Sequence, residues 1–290
     1  MIDPVRNPPS SPSTSVDHHL GEVVRTVSNN RCSIRFYEEL NDFLPPDQRK
    51  VQFSHEFQRR ASIKDMIEAL GVPHTEIDLI LVNGDSVDFS YIVRGGDRIS
   101  VYPMFETFDI LPVSRVRPRP LRVIRFVLDV HLGKLARYLR LLGFDALYRN
   151  DYDDAELANL ASSERRILLT RDRDLLKRAV VTHGYFVRAT DPRRQVEEIM
   201  DRLDLYQAMR PFQRCVRCNG LLAVTPKHRI VDRLLPETRR QVEDFWECGE
   251  CGQLYWEGSH MPNIRRFIDT LRTRGDGGAP VTGQIVGAGK

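Results

Sequence analysis

The chain lacks any apolar stretch near the ~18–20 residues that a bilayer-spanning helix requires, which excludes a membrane segment driven by hydropathy. It lacks an excess of either charge. Its 43 Lys and Arg face 40 Asp and Glu, a net +3 over 290 residues, so composition alone announces no polyanionic partner. The first thirty residues are rich in Pro and Ser and lack the apolar core of a secretory signal, and 1–30 reads as a disordered lead. The tail 271–290, Gly-rich from Gly275, reads the same way. The expected location is cytoplasmic and reducing, where disulfides are not formed. Cysteine is sparse, five residues in all.

Four of those five stand in two CxxC pairs, Cys215/Cys218 and Cys248/Cys251. A two-residue gap lets one tight turn present two thiolates to the same ion, and a second turn completes a tetrahedral shell, so the pairs predict one structural Zn²⁺ site. Each pair runs into a glycine, Gly220 after Asn219 and Gly252, which suits a knuckle with unusual backbone angles. A site with all four positions filled folds the chain and does not catalyse. The chemistry must lie elsewhere. At 41% hydrophobic the chain can bury two domains or three small ones.

Three blocks follow one another. In 31–111, strands are predicted at Cys32–Tyr37 and Val51–Phe57. A capping box at Ser62 and Asp65 opens a helix that runs to Leu70. Further strands are predicted at Asp78–Val82, near Val87–Phe89 and at Arg98–Tyr102, with turns at Asn83-Gly84 and Gly95-Gly96-Asp97. This is a small α+β sheet of β-grasp type. The stretch from Ser62 to Pro103 resembles ubiquitin-like sulfur carriers, which act through a free C-terminal Gly-Gly. Here Tyr102-Pro103 runs on into the chain, so sulfur transfer is not expected and the block is a docking module for a protein partner. The fifth cysteine, Cys32, reads as a buried strand residue. The Pro/Arg-rich stretch 112–120 reads as a stiff linker. It opens a basic stripe (Arg115, Arg117, Arg119, Arg122 and Arg125) that suits either phosphate or solvent.

The second block, 121–211, alternates strand and helix: Leu121–Leu128, Leu132–Leu142, Ala146–Tyr148, Asp154–Ser162, Arg166–Thr170, Asp174–Ala179, Tyr185–Arg188 and Pro192–Leu203. That order predicts a parallel sheet with helices on both faces. Ligands gather beyond the carboxyl ends of such strands. Asp129, Asp154, Asp172 and Asp174 all fall there. Singly each suits a helix cap or an ion pair. Together, four mutually repelling carboxylates point to a hard cation, Mg²⁺ or Mn²⁺. Glu156 is the substitute for Asp154.

The run from Asp129 through Lys134, Arg137 and Gly143 to Asp145, then Asp154-Ala155-Glu156-Leu157, then Arg166 to Leu175, resembles the PIN-like ribonuclease family named for the C-terminal domain of the mut-seven exonuclease. The zinc block 212–270, with Phe245-Trp246-Glu247-Cys248 and Tyr255 to His260, is similar to that family's ribbon. The resemblance implies an α/β chain: a PIN-like parallel sheet, an N-terminal β-grasp domain and a C-terminal zinc ribbon. It also implies metal-dependent endonucleolytic hydrolysis of RNA, leaving 5′-phosphate and 3′-hydroxyl ends. Asp129, Asp154, Asp172 and Asp174 would form the acidic metal shell. Lys134 and Arg137 would steady a substrate phosphate or simply be solvated. His131 is left outside the catalytic set. Trp246, Tyr255 and Trp256 would either stack on bases or form the ribbon's small core. RNA is the expected partner, with tRNA, rRNA and mRNA all open. A contrasting reading is a non-catalytic RNA- or ribosome-binding adaptor.

Overall fold

The computed structural model describes residues 30–103, 114–116 and 123–275. The predicted lead before Asn30, most of the linker with Arg117, Arg119 and Arg122, and the tail beyond Gly275 lie outside the described residues. Among the described residues no helix is long and apolar enough to cross a membrane.

The N-terminal domain comprises β1 (Arg31–Phe36), β2 (Phe53–Glu56), α1 (Ile63–Ala69), β3 (Ile77–Val82), β4 (Asp85–Ser86) and β5 (Arg98–Pro103). The sheet order is β2-β1-β5-β3-β4, with β1 and β5 parallel and every other pair antiparallel. This is the β-grasp arrangement. Ser62 Oγ accepts from the Asp65 N–H (3.1 Å) and starts α1 as its sequence demands. Asn83 and Gly84 take φ of +55° and +99°, the paired positive values of a two-residue hairpin. That turn places the short strand at Asp85–Ser86, immediately after it, and not at Val87–Phe89.

The central domain follows as β6 (Arg125–Leu128), α2 (Gly133–Leu141), β7 (Asp145–Leu147), α3 (Asp154–Ser163), β8 (Ile167–Thr170), α4 (Arg173–Leu176), β9 (Gly184–Phe186) and α5 (Pro192–Arg202). All four strands are parallel, in the order β7-β6-β8-β9. Strand alternation divides the core. Phe126, Leu128 and Leu169 face α2 and α5, while Val127 and Leu168 face α3 and α4. Helices therefore cover both faces, as the alternation predicts.

The last block holds β10 (Leu222–Thr225), α6 (Lys227–Ile230), α7 (Pro236–Gln241), β11 (Phe245–Cys248), β12 (Leu254–Tyr255) and α8 (Met261–Gly275). β10, β11 and β12 form an antiparallel ribbon around Ile230, Phe245 and Leu254. The expected boundary at 270 is corrected. α8 continues to Gly275, leaves the ribbon and buries Phe267, Ile268 and Leu271 in the central core. Phe267 meets Tyr138 at 5.3 Å, and Arg274 pairs with Glu197 at 2.9 Å and with Asp201 at 3.1 Å. The amphipathic spacing of this helix matches a groove that only the folded central domain supplies.

Both edges of the parallel sheet are closed by side chains from the flanking modules. At β9 the Phe186 N–H donates to Glu76 Oε1 (2.6 Å), while Arg188 donates to the Phe186 carbonyl (3.0 Å) and to Glu76 Oε2 (2.9 Å). The Glu76 side chain is wholly buried. Phe43 packs edge-on against Phe186 at 5.4 Å, and His74 Nε2 bonds the Val181 carbonyl at 2.9 Å. Truncating Glu76→Ala leaves the Phe186 N–H without its acceptor and removes one of the two carboxylates that Arg188 meets, a loss of about 1–3 kcal/mol. We expect a lower urea midpoint and faster proteolytic release of the N-terminal domain. An unchanged midpoint would show that Glu76 does not hold this interface.

Candidate functional site

β6 and β8 are neighbours in the sheet, but the chain reaches β8 only after crossing to β7 on the other side. Their carboxyl ends thus form a topological switch point, where an open α/β sheet leaves a crevice. Asp129 follows β6 directly. Its N–H donates to the Leu169 carbonyl (3.1 Å), extending the ladder by one residue and holding the carboxylate down against the sheet. Asp129 is only 8% exposed. Thr170, the last residue of β8, is fully buried and donates its hydroxyl to Asp129 Oδ2 (2.7 Å). The same hydroxyl accepts from the Asp172 N–H (2.9 Å). Asp172 in turn caps α4, its Oδ1 accepting from the N–H groups of Asp174 (2.8 Å) and Leu175 (3.3 Å).

Asp129, Thr170 and Asp172 thus form one linked unit across two strand ends. Among the described residues Asp129 has no ion pair, and neither Asp129 Oδ1 nor Asp172 Oδ2 accepts a hydrogen bond. The unengaged Asp129 oxygen is not sealed from solvent, so a ligand can reach it. Two unengaged oxygens at one strand edge fit a divalent cation held by one or two carboxylates.

The other two aspartates stand apart from this unit. Asp154 is the first residue of α3, half-exposed, with Arg178 at 3.5 Å, and it is Asp153 that caps the helix by accepting from the Glu156 N–H (2.8 Å). Asp174 is exposed and faces Lys177 at 3.2 Å. Glu156 lies 3.7 Å from Arg149. Among the described residues no three carboxylates bring their oxygens as close together as the four thiolates come. Lys134 and Arg137 are exposed on α2, without an ion pair among the described residues, and His131 is exposed beside them.

Thr170 is the residue that sequence reasoning missed. A lone hydroxyl closing the buried run Ile167-Leu168-Leu169, two residues before an acid, was the available signal. Tyr148 was missed as well. Its hydroxyl donates to the Val130 carbonyl (2.9 Å), beside Asp129. A Cβ on Gly133 would stand 2.6 Å from that hydroxyl, so the close approach of α2 to Tyr148 requires glycine.

The cysteine cluster forms as the spacing requires. Cys215 and Cys251 Sγ are 3.7 Å apart, Cys218 and Cys248 Sγ are 3.4 Å apart, and all four sulfurs lie within 4.8 Å of one another. Zn–S bonds of about 2.3 Å in a tetrahedron give sulfur–sulfur edges of about 3.8 Å, so the set fits one such ion. These separations are far from a disulfide. Burial pushes the Cys215 thiol up, but the Tyr255 hydroxyl at 3.1 Å and the N–H groups of Cys218 and Arg217 outweigh it and hold the thiol at about 7. The first knuckle takes its positive φ at Asn219 (+76°) and not at Gly220. Gly220 is needed for space instead, because a Cβ there would meet Cys248 Sγ at 2.9 Å.

That knuckle closes the other edge of the parallel sheet. The Ala146 N–H of β7 donates to Asn219 Oδ1 (3.0 Å), and its carbonyl accepts from Arg140 Nε (2.8 Å). Arg140, 3% exposed, also donates to the carbonyls of Arg217 (2.8 Å) and Val216 (3.3 Å). Asp145 accepts from Arg166 (2.7 Å) and from Asn219 Nδ2 (2.8 Å), with Arg214 at 3.7 Å. Burial pushes the Asp145 carboxyl up. The Arg166 and Asn219 hydrogen bonds and the nearby positive charges more than offset this and hold it below the usual carboxylate range. Its unfolded form therefore binds a proton more readily than its folded form. The stabilisation is complete above about pH 4 and is lost as pH falls through the lower folded value. Comparing urea midpoints of wild type and Asp145→Asn, we expect a clear deficit at neutral pH that shrinks below about pH 4. A deficit independent of pH would contradict this role.

Residues 124–268 match the Mut7-C RNAse domain family, and residues 30–109 match the Mut7-C ubiquitin family. No functionally curated protein matches the chain. Two crystal structures are similar to a part of it. The H. volcanii small archaeal modifier protein 1 is 16% identical, covering 25% of this chain and 95% of that one with a TM-score of 0.21. SAMP1 from Haloferax volcanii is 15% identical, covering 27% and 99%, with a TM-score of 0.22.

Proposed function

Since this chain belongs to the Mut7-C RNAse domain family, we propose that it is a metal-dependent endoribonuclease whose reaction centre is the carboxyl edge of β6 and β8. The observation that carries this reading is the linked unit at the switch point, in which Thr170 holds one Asp129 oxygen, leaves the other unengaged and joins Asp129 to Asp172.

Asp129 Oδ1 and Asp172 Oδ2 are the oxygens that would hold Mg²⁺ or Mn²⁺, with Asp154 and Asp174 joining as an outer acidic shell once released from Arg178 and Lys177. The ion, when bound, supplies Lewis-acid stabilisation of the scissile phosphate and lowers the pKa of an attacking water. Thr170 holds one Asp129 oxygen and leaves the other for the ion. Lys134 and Arg137 on α2 offer positive charge for the flanking phosphates of the strand. The ribbon cysteines bind structural zinc and take no part in the reaction. The β-grasp domain offers its outer surface to a protein partner.

With labelled RNA and Mn²⁺ or Mg²⁺, we expect cleavage that leaves 5′-phosphate ends. Asp129→Asn and Asp172→Asn should reduce it to the metal-free background, and Thr170→Val should slow it by about 10–100-fold through misplacement of Asp129. RNA bound but not cut, unchanged by these substitutions, would assign the chain to the adaptor class. Elemental analysis of the purified chain should find one zinc per molecule. Cys248→Ser should lose it and unfold the ribbon while the β-grasp domain stays folded. A zinc-free chain with an intact ribbon would refute the structural assignment.

A further inference from the structure

The ribbon holds a cavity of about 380 Å³, lined by Arg217, Arg233, Leu234, Thr238, Gln253 and Trp256 among others. It falls at the small end of the 300–1,000 Å³ range of ligand pockets, the size of one small planar ligand and not of a peptide segment. No aspartate or glutamate lines it. Trp256 is braced by Phe245, with ring centroids 6.2 Å apart, yet remains 39% exposed. Arg233 is already engaged by Glu247 and the Gly252 carbonyl, so it builds the wall. Arg217 differs. Its carbonyl is pinned by Arg140 (2.8 Å), but its exposed side chain has no ion pair among the described residues. A braced indole in one cavity with an unengaged guanidinium, carried on a pinned backbone, matches a flat ring carrying a phosphate.

The pocket also has a direct structural link to the acidic edge. Arg140 holds the Arg217 carbonyl from one end of α2 and reaches toward the Tyr148 carbonyl (3.5 Å), while the Tyr148 hydroxyl bonds Val130 next to Asp129 at the other end. The nine residues of α2 span about 13 Å, and along them Lys134 and Arg137 are exposed and, among the described residues, unpaired. We propose that the ribbon cavity is a single-nucleotide pocket, which stacks one base of a single-stranded RNA on Trp256 and holds its phosphate at Arg217. The ribbon would then clamp the strand whose neighbouring phosphates pass along α2 to the carboxyl edge. That the nucleotide belongs to RNA rests on the ribonuclease reading, and the pocket itself rests on its own residues.

The test is fluorescence anisotropy of the full, zinc-loaded chain with a short fluorescein-labelled single-stranded RNA, in buffer free of Mg²⁺ and Mn²⁺ so that nothing is cut. Trp256→Ala should weaken binding about 5- to 150-fold, the span of one lost base stack, and Trp256→Phe should retain most of it. Arg217→Ala should lower the slope of log affinity against log salt by about 0.7, one phosphate contact on a single strand. Wild-type affinity and salt slope in both alanine variants would overturn the proposal, as would a duplex of the same sequence binding equally well. If Trp256→Ala loses zinc, Arg217→Ala and Trp256→Phe decide the matter, since an exposed guanidinium carries no fold. Cleavage by the wild type in Mn²⁺ is scored separately. Cutting with unaltered variant binding sinks only the pocket, and pocket-dependent binding without cutting sinks only the nuclease reading.

Discussion

A four-stranded parallel sheet has two open edges, and the rest of this molecule is arranged around closing them. Each edge strand exposes backbone groups that, left bare, would pair with another chain or stay unsatisfied on burial. Here both edges are met by side chains in matching fashion. Glu76 and Arg188 take the N–H and carbonyl of Phe186 on β9, and Asn219 and Arg140 take those of Ala146 on β7. The first pair joins the β-grasp domain to the sheet, and the second joins the cysteine knuckle to it. Three modules that a linear reading separates are therefore one structure, bound by polar contacts that lose their value if either partner is removed.

The acidic edge inherits its geometry from this closure. Asp172 and Asp174 flank Arg173, which turns the other way and lies over the Phe43 ring at 5.0 Å, with its Nη1 3.3 Å from the Phe43 carbonyl. α4 is only four residues long and gains little stability from its own hydrogen bonds. Its anchorage comes from the β-grasp side through Arg173 and from the strand side through Thr170. On the β7 flank, Tyr148 and Arg140 join the same edge to the ribbon. The module that covers each sheet edge thus also supports one flank of the carboxylate site.

Much of this was legible in the sequence, because local rules governed it. The strand–helix alternation, the Ser62 cap, the Asn83-Gly84 turn and the two CxxC knuckles all follow from short-range periodicity and turn chemistry. So does the position of Asp129 and Asp172 at strand ends. What could not be read depends on contacts distant in sequence. Glu76 and Phe186 are 110 residues apart, and Asn219 and Ala146 are 73 apart. α8 was divided between the expected ribbon and the expected disordered tail, because its apolar face has meaning only against the α2 and α5 groove. Asp154 and Asp174 follow the same logic. Sequence places them at the carboxyl edge of the sheet, while their side chains are held by Arg178 and Lys177 at the far end of α4.

Arg140 shows how tightly fold and metal chemistry are coupled here. It sits on the buried face of α2 and donates to carbonyls of β7 and of the first knuckle, and among the described residues it pairs with no carboxylate. A buried cation served by carbonyl dipoles alone is costly, and burial does push its pKa down, while the Cys218 and Cys215 sulfurs nearby act in the opposite sense. Four thiolates around a divalent ion carry a net charge of −2, which a cation fixed against the same knuckle offsets across a few bonds. The arginine that holds the ribbon on the sheet would thus also be a counter-charge for a metal held by the four cysteines. The same side chain thus faces the cysteine cluster and the carbonyls of the seam, so the charge of the cluster bears directly on the sheet edge that Arg140 maintains.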